Sequence, residues 1–333
     1  MKDIQFNTVN TRIRTYEGQL LGEAVYERLL TVSDPSEIYG ILEDTPYGDF
    51  IYEGLKIQDF EEVLNAEQKR MYDNLYDISP DRLVIDLFSL KYDYQNLKVL
   101  VKGVYNKEDL SSLLIPYGSV PLSELKDLVE NRRNQNVPKQ MNECIKEVFE
   151  YIESYQAHQS LDIIFDNHYW QHMRSISEAE KREELVTLVS RNIDIFNIST
   201  ALRSHLLDRH LGFISAVLAE GGTLSTDNIL DTIGESLDTF VNYLMDTPYK
   251  RLIEESYEEI TTQKTLNSID ILKDNFMMER LKELKIVPFG PTAIIGYIYA
   301  KETEIKNLRI LLVGKINRIP EEILRSRVRD IYV

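Results

Sequence analysis

The chain has a single cysteine, Cys144, so it can form no internal disulfide, which points to a reducing compartment. Glycine (14) and proline (10) are scarce among the 333 residues. A sandwich or barrel turns every few residues and needs more of both, so those architectures are disfavoured. The longest apolar run is AIIGYIYA at 293–300. A bilayer-crossing helix needs roughly 20 apolar residues, so no direct membrane span is expected. The opening MKDIQFNTVN has no apolar stretch of the kind a secretory signal carries. Positive charge is in short supply: the net charge of -17 opposes binding to nucleic acid or to anionic lipid surfaces. The basic exception is the C-terminal stretch 301–330, with Lys301, Lys306, Arg309, Lys315, Arg318, Arg325, Arg327 and Arg329 against five acids.

What is abundant is helix-forming sequence. Hydrophobic residues make up 43% and charged residues 28%, which suits an ordered globular chain. Apolar stripes at 3–4 spacing run through Leu20, Leu21, Val25, Leu29 and Leu30, through Ile145, Val148, Phe149 and Ile152, and through Leu237, Val241 and Leu244. Asp34 with Pro35 and Glu37 reads as a helix start. Ser177 with Glu180 reads as a capping box ahead of a helical region over 178–209. Breaks are expected at GGT (221–223), between Pro116 and Pro121, and at VPFGP (287–291), with NRRNQNVPKQ (131–140) an exposed loop. Strand-like alternation is hard to find, and the fold class expected is all-α.

The strongest signal is internal repetition. The stretches LKYDYQNLKVLV (90–101), RNIDIFNISTAL (191–202) and KETEIKNLRILL (301–312) align on Asn96, Asn197 and Asn307. Three residues before each asparagine stands an acid: Asp93, Asp194 and Glu304. One residue after it stands Leu97, Ile198 or Leu308. Positions two before (Tyr94, Ile195, Ile305) and five after (Val101, Leu202, Leu312) complete one helical face, the expected buried stripe. The acid and the amide are neighbours on an adjacent face, close enough to hydrogen-bond to one another. A second repeat joins ILEDTPYGDFI (41–51) to YLMDTPYKRLI (243–253), with LLIPYG (113–118) as a fainter copy. The spacing is too long for a solenoid, so duplicated lobes are expected, with the first and last segments of the chain together completing one of them in a pseudo-threefold object. The lobes fall at 1–60 plus 290–333, at 61–155 and at 156–289.

Sites for chemistry are few. His168 and His172 share a helical spacing, but Tyr169 stands where a zinc-protease motif needs Glu, and no third ligand is evident. His205 and His210 diverge. LLVGKIN (311–317) has Gly-Lys without the rest of a phosphate loop. Cys144 lacks a nucleophile motif. Adjacent carboxylates such as Glu61-Glu62 and Glu254-Glu255 do not face one another on a helix. No catalytic residue, cofactor site or metal site is therefore assigned. The acid–asparagine pairs read either as polar positions at a shared interface or as groups satisfying backbone inside a bundle, the second being favoured.

Taken together, RIRTYEGQLL near the start, YDYQNLKVLVKG, KETEIKNLRILLVGKIN and the ending ILRSRVRDIYV resemble the C subunit of bacterial and archaeal V-type (A/V-type) ATPases, whose counterpart in the eukaryotic V-ATPase is the d subunit (the C/AC39 family). The likeness covers essentially the whole chain, and the middle copy, with Ile198-Ser199, departs furthest. The resemblance implies a three-lobed, funnel-shaped, all-helical protein with a central cavity. It would be a non-catalytic part of the rotor. Its partners would be the D and F subunits of the central shaft and the membrane proteolipid c/K ring, which would hold it peripherally at the cytoplasmic face. It would pass torque between ATP hydrolysis or synthesis and H+ or Na+ movement. Arg325, Arg327 and Arg329 are candidate partner contacts because of the local charge excess, the alternative being that they pair with the chain's own acids. A helical scaffold unrelated to any ATPase, or an all-helical enzyme, are the competing readings.

Overall fold

The structure, a computed structural model, describes residues 5–155, 161–266, 268–285 and 290–333. Among them there are only helices, turns and irregular segments, and no strand. In chain order the helices are α1 (Asn7–Glu17), α2 (Glu23–Thr31), α3 (Glu37–Leu42), α4 (Phe60–Ile78), α5 (Arg82–Asn106), α6 (Leu122–Asn131), α7 (Lys139–Tyr155) and α8 (Leu161–Glu180). There follow α9 (Glu183–Leu206), α10 (Leu211–Val217), α11 (Thr226–Glu235), α12 (Leu237–Met245), α13 (Lys250–Glu258), α14 (Ile269–Leu284), α15 (Thr292–Ile316) and α16 (Glu321–Arg327). The chain divides into two compact units, one of residues 1–85 with 267–333, the other of residues 86–266.

In the first unit α15 is the axis. It packs against α1, α4, α14 and α16. Its sequence is apolar on nearly every side, as a helix surrounded by others must be. Ile305, Leu308, Leu311 and Leu312 meet Leu29, Leu30, Ile38, Leu42, Val63 and Leu64 in one core cluster. Each such side chain contributes about 1.5–3 kcal/mol on leaving water. Gly314 lets α16 close on α15, because a Cβ there would stand 2.1 Å from Leu324 Cδ2. In the second unit α9 holds the corresponding place, packed on α8, α10 and α11, with α7 behind α8. The expected buried stripe is buried at all nine positions, from Tyr94, Leu97 and Val101 to Ile305, Leu308 and Leu312.

Several local expectations are corrected. The stripe expected from Leu20 to Leu30 is not carried by one helix: α1 has ended at Glu17 and α2, which carries Val25, Leu29 and Leu30, starts at Glu23, so Leu20 and Leu21 lie on an irregular segment, where both are buried. Ser177 and Glu180 close α8 and do not open the next helix. The Ser177 hydroxyl donates back to the Arg174 carbonyl at 2.8 Å, the chain turns at Lys181 with φ 53, and α9 starts at Glu183. Serine bonding back into its own helix competes with its use as a cap. Asp34 accepts from Ser36 N at 2.9 Å and so shapes the turn before α3, whose N-cap is Ser36. The loop at 131–140 connects α6 to α7 but is not wholly exposed. Asn134 and Val137 are buried, and Asn142 Nδ2 donates to the carbonyls of Asn134, Val137 and Pro138. Most of VPFGP lies outside the described residues.

Candidate functional site

The repeated asparagines do one job three times. Asn96 Nδ2 donates to the Ile115 carbonyl at 2.8 Å while its Oδ1 accepts from Ile115 N at 2.8 Å. Asn197 does the same with Ala219, at 2.8 Å for both bonds. Asn307 does it with Arg329, at 3.0 and 2.8 Å. The receiving residues lie 19, 22 and 22 positions downstream, each outside a helix. A primary amide carries donor and acceptor side by side, so it answers both backbone groups of one extended residue. Each of these irregular segments crosses a buried helix face where no strand is available to pair with it. The asparagine supplies what a strand would.

Asp93 and Asp194 hold residues a few positions further along the same segments, while Glu304 holds a residue from the other end of the chain. Asp93 accepts from Ser119 N at 2.9 Å, Ser119 Oγ at 2.5 Å and Val120 N at 3.2 Å. Asp194 accepts from the Thr223 hydroxyl and from Leu224 N at 2.9 Å. Glu304 accepts from Leu21 N at 2.5 Å. The acid and the asparagine therefore do not bond to one another, as their spacing had implied. Both reach outward to a strap laid across the helix. In the second unit the backbone passes so near the carboxylate that only glycine fits. A Cβ on Gly118 would be 2.0 Å from Asp93 Oδ1, and one on Gly222 would be 2.2 Å from Asp194 Oδ1.

This geometry reassigns LLIPYG. Ile115, Gly118, Ser119 and Val120 take the parts of Ala219, Gly222, Thr223 and Leu224, so the segment is a second copy of the strap and not a faint copy of Asp-Thr-Pro-Tyr. The Asp-Thr-Pro-Tyr repeat serves the same site from the other side. The Tyr47 hydroxyl donates to Glu304 at 2.8 Å, and the Tyr249 hydroxyl donates to Asp194 at 2.7 Å. Thr45 and Thr247 shape both turns alike, each hydroxyl donating to the carbonyl of a leucine, Leu42 or Leu244, at 2.6 Å. Burial first, and then the carboxylate it touches, raise both phenols above their ordinary range.

The Glu304 site holds one cation that the repeats did not indicate. Lys301 is almost wholly buried, 2.7 Å from Glu304 and 2.9 Å from Glu67, with its ammonium 4.8 Å from the Tyr47 ring centroid. Burial alone would lower this amine. Glu304 and Glu67 outweigh that and hold it above its usual value. Glu67 also accepts from Arg70, which bonds Asp49 and the Pro46 carbonyl, and these residues line a cleft of about 600 Å³. The lysine lies one turn before Glu304 on α15. Its neighbours Glu67 and Arg70 come from α4, so nothing in the linear sequence joins them.

Most of the remaining candidates have structural partners. Arg325 is paired with Glu27 at 2.5 Å and Glu321 at 2.9 Å, and Arg329 with Asp274 at 3.0 Å, while Arg327 is exposed. In the Gly-Lys of 311–317, Lys315 donates to the carbonyls of Leu30 and Val32 and so closes the C-terminal end of α2. His210 caps α10, accepting from Phe213 N at 3.0 Å. His168 lies 2.9 Å from Glu147, and His172 is 3.4 Å from the Tyr94 hydroxyl. Among the described residues no three His, Cys, Asp or Glu side chains are placed to hold one metal ion. Cys144 is buried, and desolvation pushes its thiol up, away from the reactive thiolate. No helix among the described residues is long and apolar enough to cross a membrane.

Residues 9–327 match the profile of the family described as ATP synthase (C/AC39) subunit. The C subunit of the V-type sodium ATPase of Enterococcus hirae is 29% identical over 329 residues, spanning 99% of each chain. The C subunit of the A-type ATP synthase of Methanocaldococcus jannaschii is 29% identical, over 96% of this chain and 84% of its own. The protein of the same name from Halorubrum lacusprofundi is 26% identical over 92% of both.

Proposed function

The chain belongs to the ATP synthase (C/AC39) subunit family, and on that premise we propose that it is the non-catalytic central-stalk component of a V-type (A/V-type) rotary ATPase. In this role it joins the D and F subunits of the shaft to the proteolipid ring on the cytoplasmic face of the membrane. It passes torque between ATP hydrolysis or synthesis and H+ or Na+ movement. The observation that carries the proposal is the end-to-end match to relatives named as C subunits, without a gap large enough to remove a domain.

The physical character of the chain supports it. A coupler under torque needs segments that do not slide: α5 and α9 each fix one irregular segment by hydrogen bonds at two levels, and α15 fixes two, one from each end of the chain. The lobes at 1–60 plus 290–333, 61–155 and 156–289 are proposed to ring a central cavity in a funnel with pseudo-threefold character. The site of Glu304 and Asn307, which takes one strap segment from each end of the chain, supports the first of these lobes. Arg327, exposed at the end of α16, is the arginine of the C-terminal cluster proposed to meet a partner.

The test is to purify the membrane complex from cells with and without this chain. The ring and the ATP-hydrolysing head are expected to separate, and ATP hydrolysis to lose its sensitivity to ring inhibitors, when the chain is missing. A complex that stays joined and coupled without it would refute the proposal.

A further inference from the structure

The three straps are not held equally. At Glu304 the carboxylate meets Leu21 N, the Tyr47 hydroxyl and the Lys301 ammonium. At Asp194 the two strap donors are joined by the Tyr249 hydroxyl. At Asp93 every partner belongs to the strap itself: Ser119 N, Ser119 Oγ and Val120 N. No tyrosine arrives, because the chain beyond this strap runs into α6 and the long helix α7, where the offset that reaches Tyr249 from Leu224 lands on buried, apolar Ile145. No ammonium or guanidinium touches Asp93 either.

Asp93 is nevertheless 0% exposed. A fully buried carboxylate without a counter-ion is held by its hydrogen bonds alone. The charged and titratable groups around it do not help. Asp86, on its own helix, is a like charge, and the neighbouring Tyr94 phenol leads on to Cys144, Tyr169 and His172, none of them a resident cation. From the strap side it faces Ser119, and Tyr117 turns its ring edge-on to Tyr92, 4.8 Å away. The approach to this strap is also open to solvent: Ser111, Ser112, Leu113 and Pro116 are exposed, Leu113 by 58%.

We propose that the strap at 115–120 is the one of the three that opens locally, and that its closure is governed by the ionisation of Asp93. When neutral, the carboxyl can keep the strap shut, because Ser119 Oγ, 2.5 Å away, can reverse its role and accept the Asp93 proton while both backbone amides still donate to the acid. When ionised, the carboxylate carries a buried charge that opening the strap would return to water. Desolvation is the main cause pushing this carboxyl up to about 7, against the pull of the Ser119 and Val120 bonds and with the help of Asp86. A raised carboxyl of this kind contributes stability that is complete in acid and lost as pH rises through the folded value.

Amide exchange in the full-length chain tests this, with rates divided by the intrinsic rate at each pH so that protection alone is compared. With an ordinary carboxyl value in the open strap and about 7 in the closed one, protection of Ser119 N and Val120 N is expected to fall about tenfold between pH 6 and 8. Leu224 N and Leu21 N, which answer Asp194 and Glu304, should change less than about twofold. In Asp93→Asn the pH dependence should vanish. The proposal is overturned if protection at Ser119 and Val120 is flat with pH in the wild-type chain, if Leu224 and Leu21 fall in step with them, or if the dependence survives in Asp93→Asn. The wild-type series decides even where the variant does not fold.

Discussion

Asn197→Ala removes two hydrogen bonds and nothing else of consequence, so its effect can be worked from the structure. Both groups it abandons, the N–H and C=O of Ala219, are buried, and Ala219 itself is 2% exposed. An orphaned buried polar group costs about 1–3 kcal/mol, so the pair is expected to cost about 4 kcal/mol. That is a large part of the roughly 5–15 kcal/mol by which a folded domain exceeds its unfolded state. Asn96→Ala should cost less, about 2 kcal/mol, because Ile115 is only half-buried and water can replace part of what is lost. Asn197→Asp is the sharper probe. It keeps an acceptor for the Ala219 N–H but sets a second oxygen against the Ala219 carbonyl, so it should do no better than alanine. Urea unfolding gives the stability loss, and amide exchange at Ala219 shows whether the strap has come free. An Asn197→Ala variant within about 1 kcal/mol of wild type, with Ala219 still protected, would mean that the asparagine does not hold the strap and that its recurrence has some other cause.

Gly222→Ala should lose about 3 kcal/mol by urea unfolding, since the new methyl would press on Asp194 Oδ1, whereas Gly40→Ala, with open space around it inside α3, should be neutral or slightly stabilising. Lys301→Met leaves Glu304 a buried acid without a counter-ion, while Glu67 keeps Arg70, and should cost about 3–5 kcal/mol, most of it recovered if Glu304 is also replaced by an apolar side chain in the same chain. Burial lowers His172 to about 4, so the unfolded chain takes up its proton first; stability from this group is complete above the ordinary histidine value and is lost as pH falls toward 4, a slope that His172→Phe should remove from a pH series of urea midpoints. Glu304→Asp should leave the Leu21 amide beyond reach and Asp194→Glu should collide with the strap at Gly222, so the two length changes should each destabilise, detected by loss of amide protection at Leu21 and Leu224 respectively.

Class and periodicity were legible in the sequence because they depend on spacing along one helix. The stripe at Tyr94, Leu97 and Val101 and its two counterparts is buried as the 3.6-residue period requires. What the asparagines bind was not legible, because a side chain on an adjacent face is equally suited to a neighbour on its own helix and to a segment crossing over it. The straps themselves had left a trace: Gly118-Ser119 and Gly222-Thr223, each a glycine beside a hydroxyl residue, stand 22 and 25 residues after Asn96 and Asn197. The proline and tyrosine of IPYG drew attention toward Asp-Thr-Pro-Tyr instead. The capping box at Ser177 misled for a local reason, since a serine followed by a glutamate is common inside helices too, and only Lys181 at φ 53 shows where α8 stops. Lys301 with Glu67 was beyond sequence reasoning altogether, as it depends on which face of α4 meets α15.

The site at Glu304 and Asn307 differs from the other two in a way that accounts for its extra bonds. Asp194 binds a strap 30 residues away in the chain, but Glu304 binds Leu21 across 283 positions. For a flexible chain, closing the longer loop costs about 2 kcal/mol more, since the entropy grows with the logarithm of loop length. The strap is also cut: Arg329 belongs to the C-terminal segment and Leu21 to the N-terminal one, so neither half holds the other in place through the backbone. The additions at this site oppose that loss. Lys301 ties Glu304 to α4, Arg329 reaches Asp274 on α14, Asp330 N donates to Asn275, and the Tyr332 hydroxyl donates to Glu17 on α1. Tyr332 can lie there because Gly296 on α15 leaves the room, a Cβ at that point coming within 2.8 Å of its hydroxyl. The substitution of Glu for Asp follows from the same cut. The incoming chain carries Gln19 and Leu20 where the continuous straps carry a glycine and a hydroxyl residue, so it cannot come as close, and the acid must be one methylene longer to meet it.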